Sequence, residues 1–208
     1  NRTREGNFSL NGLIGFDMHE KTIGIIGTGK IAKVLINLLS GFKVRILAYD
    51  IYPDEKFAKE HGVEYTTLDN IFKNSDIISL HCPLTPESHH IINEKAINSM
   101  KKGVMLINTG RGPLIDTKAL IHGLKKQIVG SAALDVYENE GDYFYSDRSN
   151  QPMEDDSLAR LLSFNNVIIS SHQAFFTKEA LTNIATTTLE NVKAYFGKQP
   201  LVNEVKAE

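Results

Sequence analysis

The chain has 208 residues, of which 41% are hydrophobic and 23% charged, with a formal net charge of −2 at pH 7. This is an ordinary globular composition, and with no basic run longer than two residues a nucleic-acid partner is not expected. No apolar run approaches the roughly 18 residues that span a bilayer and no signal peptide opens the chain, so no membrane association is expected; the single cysteine, Cys82, excludes an internal disulfide and suits the cytoplasm.

The chain opens at Asn1 in a polar stretch without an initiator methionine and reads as a piece of something longer. From Thr22 onward short apolar runs alternate with helical patterns, the signature of βαβ units around a parallel sheet. Strands are expected near 22–27, 44–49, 76–81, 103–108, 129–134 and 166–171. Helices are expected near 29–41, 54–61, 68–74, 93–101, 116–126 and 156–163. Thr66-Thr67-Leu68-Asp69 resembles a capping box, and Asp116 is a candidate N-cap after the Gly112-Pro113 turn. A last helix is expected from about Lys178 to Phe196, with Leu181, Ile184, Ala185, Leu189, Val192 and Phe196 on one stripe. The acidic interval 138–156, with Tyr143, Phe144 and Tyr145, breaks the rhythm, and a loop of that length is expected to be functional or mobile.

Gly27-Thr28-Gly29-Lys30-Ile31-Ala32 ends the first apolar run and opens the first helix. Gly27 permits a tight turn, Gly29 lets backbone N–H groups approach a pyrophosphate, and Ala32 suits close helix–strand contact. Asp50 ends the second run, 21 residues past Gly29, where a carboxylate accepts ribose hydroxyls and repels a 2′-phosphate. NAD is therefore the expected cofactor; a glycine turn with an unrelated surface aspartate is the alternative. At Cys82-Pro83 a zinc site lacks a ligand set, and no metal is expected. Cys82 reads as a small apolar residue beside the nucleotide, or as a buried structural thiol.

Arg111, Glu140 and His172 each lie just past the end of a short apolar run. Strand carboxyl ends form the rim where open α/β sheets bind ligands. Arg111, flanked by Gly110 and Gly112, can face a ligand carboxylate with its planar fork. Each of the three residues alone has a bland explanation: a surface ion pair, a solvated loop charge, a hydrogen-bonded histidine. Their joint occurrence at three strand ends suits binding an anion and moving a proton.

The order Gly27-Thr28-Gly29-Lys30-Ile31, Asp50, Asn108-Thr109-Gly110-Arg111-Gly112, Asp135-Val136-Tyr137-Glu138-Asn139-Glu140 and His172-Gln173-Ala174-Phe175 resembles the D-isomer-specific 2-hydroxyacid dehydrogenases over essentially the whole chain. The long 141–156 segment and Ser171-His172-Gln173-Ala174-Phe175 favour the D-lactate dehydrogenase branch. The resemblance implies a Rossmann-type, doubly wound α/β domain that binds NAD and belongs to a homo-oligomer. Residues 1–10 and 198–208 would then lead towards a substrate domain that this chain lacks. It implies that Arg111 grips the carboxylate of pyruvate and that His172 is the acid/base group. Glu140 would orient His172 and favour its protonated form. Asp135, Thr109 and Gly110 would lie near the nicotinamide, Lys30 and Ile31 at the phosphates, Cys82 and Pro83 beside adenine, and Ser88 near the cofactor. Another D-2-hydroxyacid as substrate, or an NAD(H)-sensing corepressor on the same fold, are the alternatives.

Overall fold

Strict alternation along the first strands sets the layers of this computed structural model, which describes residues 2–12 and 14–205. Asn1, Leu13 and Lys206–Glu208, the ends of both expected connecting stretches among them, lie outside the described residues. Strand β1 (Thr22–Ile26) sends Ile23 and Ile25 to one face and Ile26 to the other. Strand β2 (Arg45–Tyr49) does the same with Ile46 and Ala48 against Leu47. Such near-continuous apolar strands are what a sheet covered on both faces requires. Helices α1 (Lys30–Leu39) and α2 (Glu55–His61) cover the first face through Ala32, Ile36, Leu39 and Ala58. Helices α3 (Leu68–Asn74), α4 (Glu94–Ser99), α5 (Thr117–Lys125) and α6 (Asp156–Leu162) contribute to the core on the other face. Fully buried Ile25, Leu47, Ile78 and Leu106 each contribute about 1.5–3 kcal/mol of transfer free energy.

The remaining strands are β3 (Val63–Tyr65), β4 (Ile77–Leu80), β5 (Val104–Asn108), β6 (Val129–Leu134) and β7 (Val167–Ile169). All pair in parallel, in the order β3-β2-β1-β4-β5-β6-β7. The order reverses between β1 and β4, which marks the ligand crevice of a doubly wound sheet. The expected Rossmann-type α/β architecture is present, with strand and helix ends mostly within a residue or two of expectation. Among the described residues no helix is long and apolar enough to cross a membrane.

Three local features differ from expectation. Strand β3 was not expected: it is three residues long, too short for alternation to register, and starts directly after Gly62, whose φ of +67° ends α2. The cap of α3 is Thr67 rather than Thr66. Thr67 accepts from Asn70 N–H at 3.3 Å, while Thr66 accepts from the Asn70 side chain at 3.0 Å, so Asn70 and not Asp69 occupies the reciprocal position. Asp116 does cap α5, accepting from Lys118 and Ala119 N–H. Finally, the 138–156 interval contains a 3₁₀ turn at Glu140–Asp142 and is pinned at both ends. Phe144 is buried in the core, and the Tyr137 hydroxyl donates to Asp155, the N-cap of α6, at 2.8 Å.

The chain divides into two units, one running to Ser171 and the other from His172 onward. The second contains a turn closed by Phe176 N–H donating to Gln173 O, and then α7 (Lys178–Phe196), with Thr177 as its N-cap and Gly197 at its C-cap.

Candidate cofactor and active site

Register aligns the carboxyl ends of six strands. Tyr49, Ile26, Leu80, Asn108, Leu134 and Ile169 are successive partners across the sheet. The residues just beyond that row are Asp50, Gly27, His81, Thr109, Asp135 and Ser170. Four of these six were singled out by sequence, and the sheet therefore sets them along one rim.

At the switch point Gly27 has φ +90°, and a Cβ there would stand 2.4 Å from Cys82 N, so only glycine lets the two loops cross. Gly29 has open space where its side chain would be. It precedes α1, which has no side-chain N-cap and no acidic residue in its first turn. Each of the other six α-helices among the described residues is capped by a side chain: Asp54, Thr67, Asn93, Asp116, Asp155 and Thr177. The first N–H groups of α1, with exposed Lys30 and Ile31, thus fit the pyrophosphate of a dinucleotide.

Beside this turn is a cavity of 330 Å³. Gly27, Asp50, Cys82, Pro83 and Ser88 all line it, with Ile26, Tyr49, Leu68 and Ile91 supplying apolar wall. Burial pushes the Cys82 thiol up, so it is protonated at neutral pH. Ser88 is tied into its own turn, its Oγ donating to Pro83 O at 2.7 Å and accepting from Thr85 N–H at 2.8 Å. Asp50 accepts from Thr28 N–H and Thr28 Oγ1 on one oxygen and from Tyr52 N–H on the other. Burial pushes its carboxyl up, but the bonds from Tyr52 and Thr28 outweigh that and hold it below the usual carboxylate range. Asp50 is therefore ionised at neutral pH.

Further along the rim Arg111 itself is exposed, while the backbone of its turn is clamped by a residue that the sequence reading quoted but gave no role of its own. Asn108, 1% exposed, donates to Arg111 O at 2.9 Å and accepts from Gly110 N–H at 3.0 Å. Its signal was a polar residue closing an otherwise apolar run. Asp135 is buried and accepts from Ser170 Oγ at 2.6 Å. Glu140 accepts from Tyr137 N–H at 3.0 Å. A second unforeseen pair lies behind this loop: Glu138 meets His90 Nε2 at 2.7 Å and accepts from Thr117 N–H at 3.1 Å. Burial raises the Glu138 carboxyl, but the Thr117 and His90 bonds bring it below its ordinary value.

Two histidines follow strand ends. Burial pushes the His81 imidazole pKa down, and its Nε2 lies 2.8 Å from Ser79 Oγ, so it is neutral and engaged. His172 opens the second unit, whereas Arg111 and Glu140 belong to the first. Ser171 and His172 have φ of +59° and +56°, two successive left-handed residues without glycine. Such backbone costs on the order of 1–3 kcal/mol per residue and is found at functional sites and switch regions.

A family profile described as D-isomer specific 2-hydroxyacid dehydrogenase, NAD binding domain, matches residues 1–174. The D-lactate dehydrogenase of Escherichia coli (strain K12) is 54% identical over 191 residues, 92% of this chain and 58% of that protein. A solved structure identified with the pyruvate reductase of Chlamydomonas reinhardtii superposes with a TM-score of 0.92 at 43% identity, covering 97% of this chain and 61% of that one. The D-lactate dehydrogenase of Aquifex aeolicus, complexed with NAD and lactic acid, gives 0.85 at 36% identity, over 95% of this chain and 60% of that one. The chain thus spans about three fifths of these relatives. It belongs to the D-isomer-specific 2-hydroxyacid dehydrogenase family, whose NAD-binding domain its residues 1–174 match.

Proposed function

We propose that the protein carrying this chain is a D-lactate dehydrogenase interconverting pyruvate and D-lactate. NAD, when bound, supplies or accepts the hydride. The residues of this chain bind and orient the substrate carboxylate and move the proton. The Arg111 guanidinium receives the pyruvate carboxylate in a bidentate pair and orients its keto group. His172 gives its proton to the keto oxygen in reduction and takes it back in oxidation. Glu140 orients the imidazole. Asp135, Thr109 and Gly110 border the nicotinamide end, and the cavity beside Asp50, Cys82, Pro83 and Ser88 takes the adenosine end. Residues 1–10 and 198–208 lead to the domain that completes the cleft.

One observation carries this reading: the Asn108 clamp, which presents an exposed arginine at a fixed place on the rim beside the loop of Glu140. An exposed stripe on α1 and the turn after it, Ile31, Val34, Leu38 and Phe42, supports a homo-oligomer. The single cysteine, Cys82, agrees with a reducing cytoplasm.

The test is pyruvate-dependent NADH oxidation by the full-length protein, with Arg111→Lys beside it. Lysine keeps the charge and loses the fork. Strong loss of pyruvate turnover with NADH affinity intact is expected. Full activity in the variant would return Arg111 to a surface role, and activity only on bulkier 2-oxoacids would redirect the substrate. NADH binding without any turnover would favour a sensing role.

A further inference from the structure

Tyr65, the last residue of the unforeseen strand β3, pairs with Ala48 on β2 and takes part in a hydrogen-bonded chain that ends on Asp50. Its hydroxyl accepts from Asp54 N–H at 3.1 Å and lies 2.8 Å from Thr28 Oγ1. Thr28 Oγ1 lies 2.8 Å from Asp50 Oδ2. Proton counting gives this chain one direction. The ionised Asp50 carboxylate only accepts, so the Thr28 hydroxyl proton points at it. Thr28 then has only lone pairs left for Tyr65, so the Tyr65 proton points at Thr28. The Asp54 amide only donates, and it feeds the Tyr65 oxygen. The run Asp54 N–H, Tyr65 O–H, Thr28 O–H, Asp50 carboxylate is fully polarised, and each bond strengthens the next.

We propose that Tyr65 is a positioning residue for cofactor choice, fixing through Thr28 the carboxylate that accepts the adenosine ribose and turns away a 2′-phosphate. Thr28 is 5% exposed, so its hydroxyl has no bulk solvent to replace a lost partner. All three donors named on Asp50 are neutral, two from Thr28 and one from Tyr52, so its full negative charge is retained. The nearby ammonium of Lys33 is engaged by Asp54 at 2.5 Å instead. The inference rests on Asp50 being the ribose acceptor, and the experiment separates the two.

Dissociation constants for NADH and NADPH are measured by fluorescence titration on the full-length protein and its Asp50→Ala, Tyr65→Phe, Thr28→Ser, Thr28→Val and Thr28→Val/Tyr65→Phe variants. Tyr65→Phe keeps the ring and removes one buried hydroxyl. It is expected to lower the NADPH-to-NADH Kd ratio roughly fivefold, chiefly through weaker NADH binding. Thr28→Val should lower the ratio at least as much, and adding Tyr65→Phe to it should change the ratio no further, because the chain is already cut. Thr28→Ser keeps the hydroxyl and should keep the ratio. Asp50→Ala should collapse it. If Asp50→Ala collapses the ratio while Tyr65→Phe leaves it unchanged or weakens both cofactors equally, the role of Tyr65 is overturned and that of Asp50 stands. If Tyr65→Phe does not fold, equal ratios for Thr28→Ser and Thr28→Val overturn the proposal. An intact ratio in Asp50→Ala overturns both.

Discussion

The α-carbon of Gly112 faces the carbonyl of Tyr137 so closely that a Cβ on residue 112 would stand 2.1 Å from that oxygen and 2.6 Å from Glu138 N. The turn that follows Arg111 and the segment that leads to Glu140 are therefore in backbone contact. Gly112→Ala should force them apart, with a stability cost of about 1–3 kcal/mol or more for the overpacking. Catalysis should suffer beyond that, because displacing a positioned group by about 1 Å can cost on the order of 10²-fold. Thermal unfolding and pyruvate kinetics on the variant measure the two effects, and near-normal values for both would show that the contact is slack.

Asn108→Ala removes both arms of the clamp and leaves Arg111 O and Gly110 N–H without that partner. The expected loss is roughly 2 kcal/mol, from two neutral hydrogen bonds in a buried place. KM for pyruvate should rise more than the Kd for NADH, since the arginine loosens together with one nicotinamide-end contact at Gly110, while the glycine turn of β1 and the adenosine cavity are untouched. A variant that lost NADH binding instead would mean that Asn108 serves the cofactor.

The Glu138 carboxyl titrates below its ordinary value because the Thr117 and His90 bonds outweigh burial. A depressed acid stabilises the folded state above its unfolded pKa of about 4.3, and that contribution is lost as pH falls through the folded value. Glu138→Gln should therefore be less stable than the native protein at neutral pH, with the gap closing as pH falls below about 4. Chemical denaturation at several pH values measures it. A gap that persists unchanged at low pH would mean that shape and not charge matters at this position.

Sheet, strand ends and rim were legible in the sequence because apolar runs, glycine turns and caps are local signals. Asp116, the α7 boundaries and the meeting of Gly27 with Asp50 at one cavity followed from them, while Pro83 and Ser88 on the same cavity were implied by the family resemblance. What escaped was non-local. Tyr65 acts through Thr28 and Asp54, and Asn108 through the turn it wraps. His90 and Glu138 are 48 residues apart and meet only when two loops fold over the same strand ends. The misplaced cap at Thr66 has a different origin: Thr66 and Thr67 are adjacent hydroxyls that both bond Asn70, and the backbone decides between them.

In the proposed reaction His172 moves the proton, and the most direct measurement is kcat/KM against pH in both directions on the full-length protein, with His172→Gln alongside. Reduction of pyruvate needs the imidazole charged and oxidation of D-lactate needs it neutral. As pH rises, kcat/KM for pyruvate should therefore fall and kcat/KM for D-lactate should rise. In His172→Gln both should drop by on the order of 10²–10⁴, with the inflection gone. Profiles that run the same way in both directions, or a glutamine variant that keeps the native inflection, would contradict it.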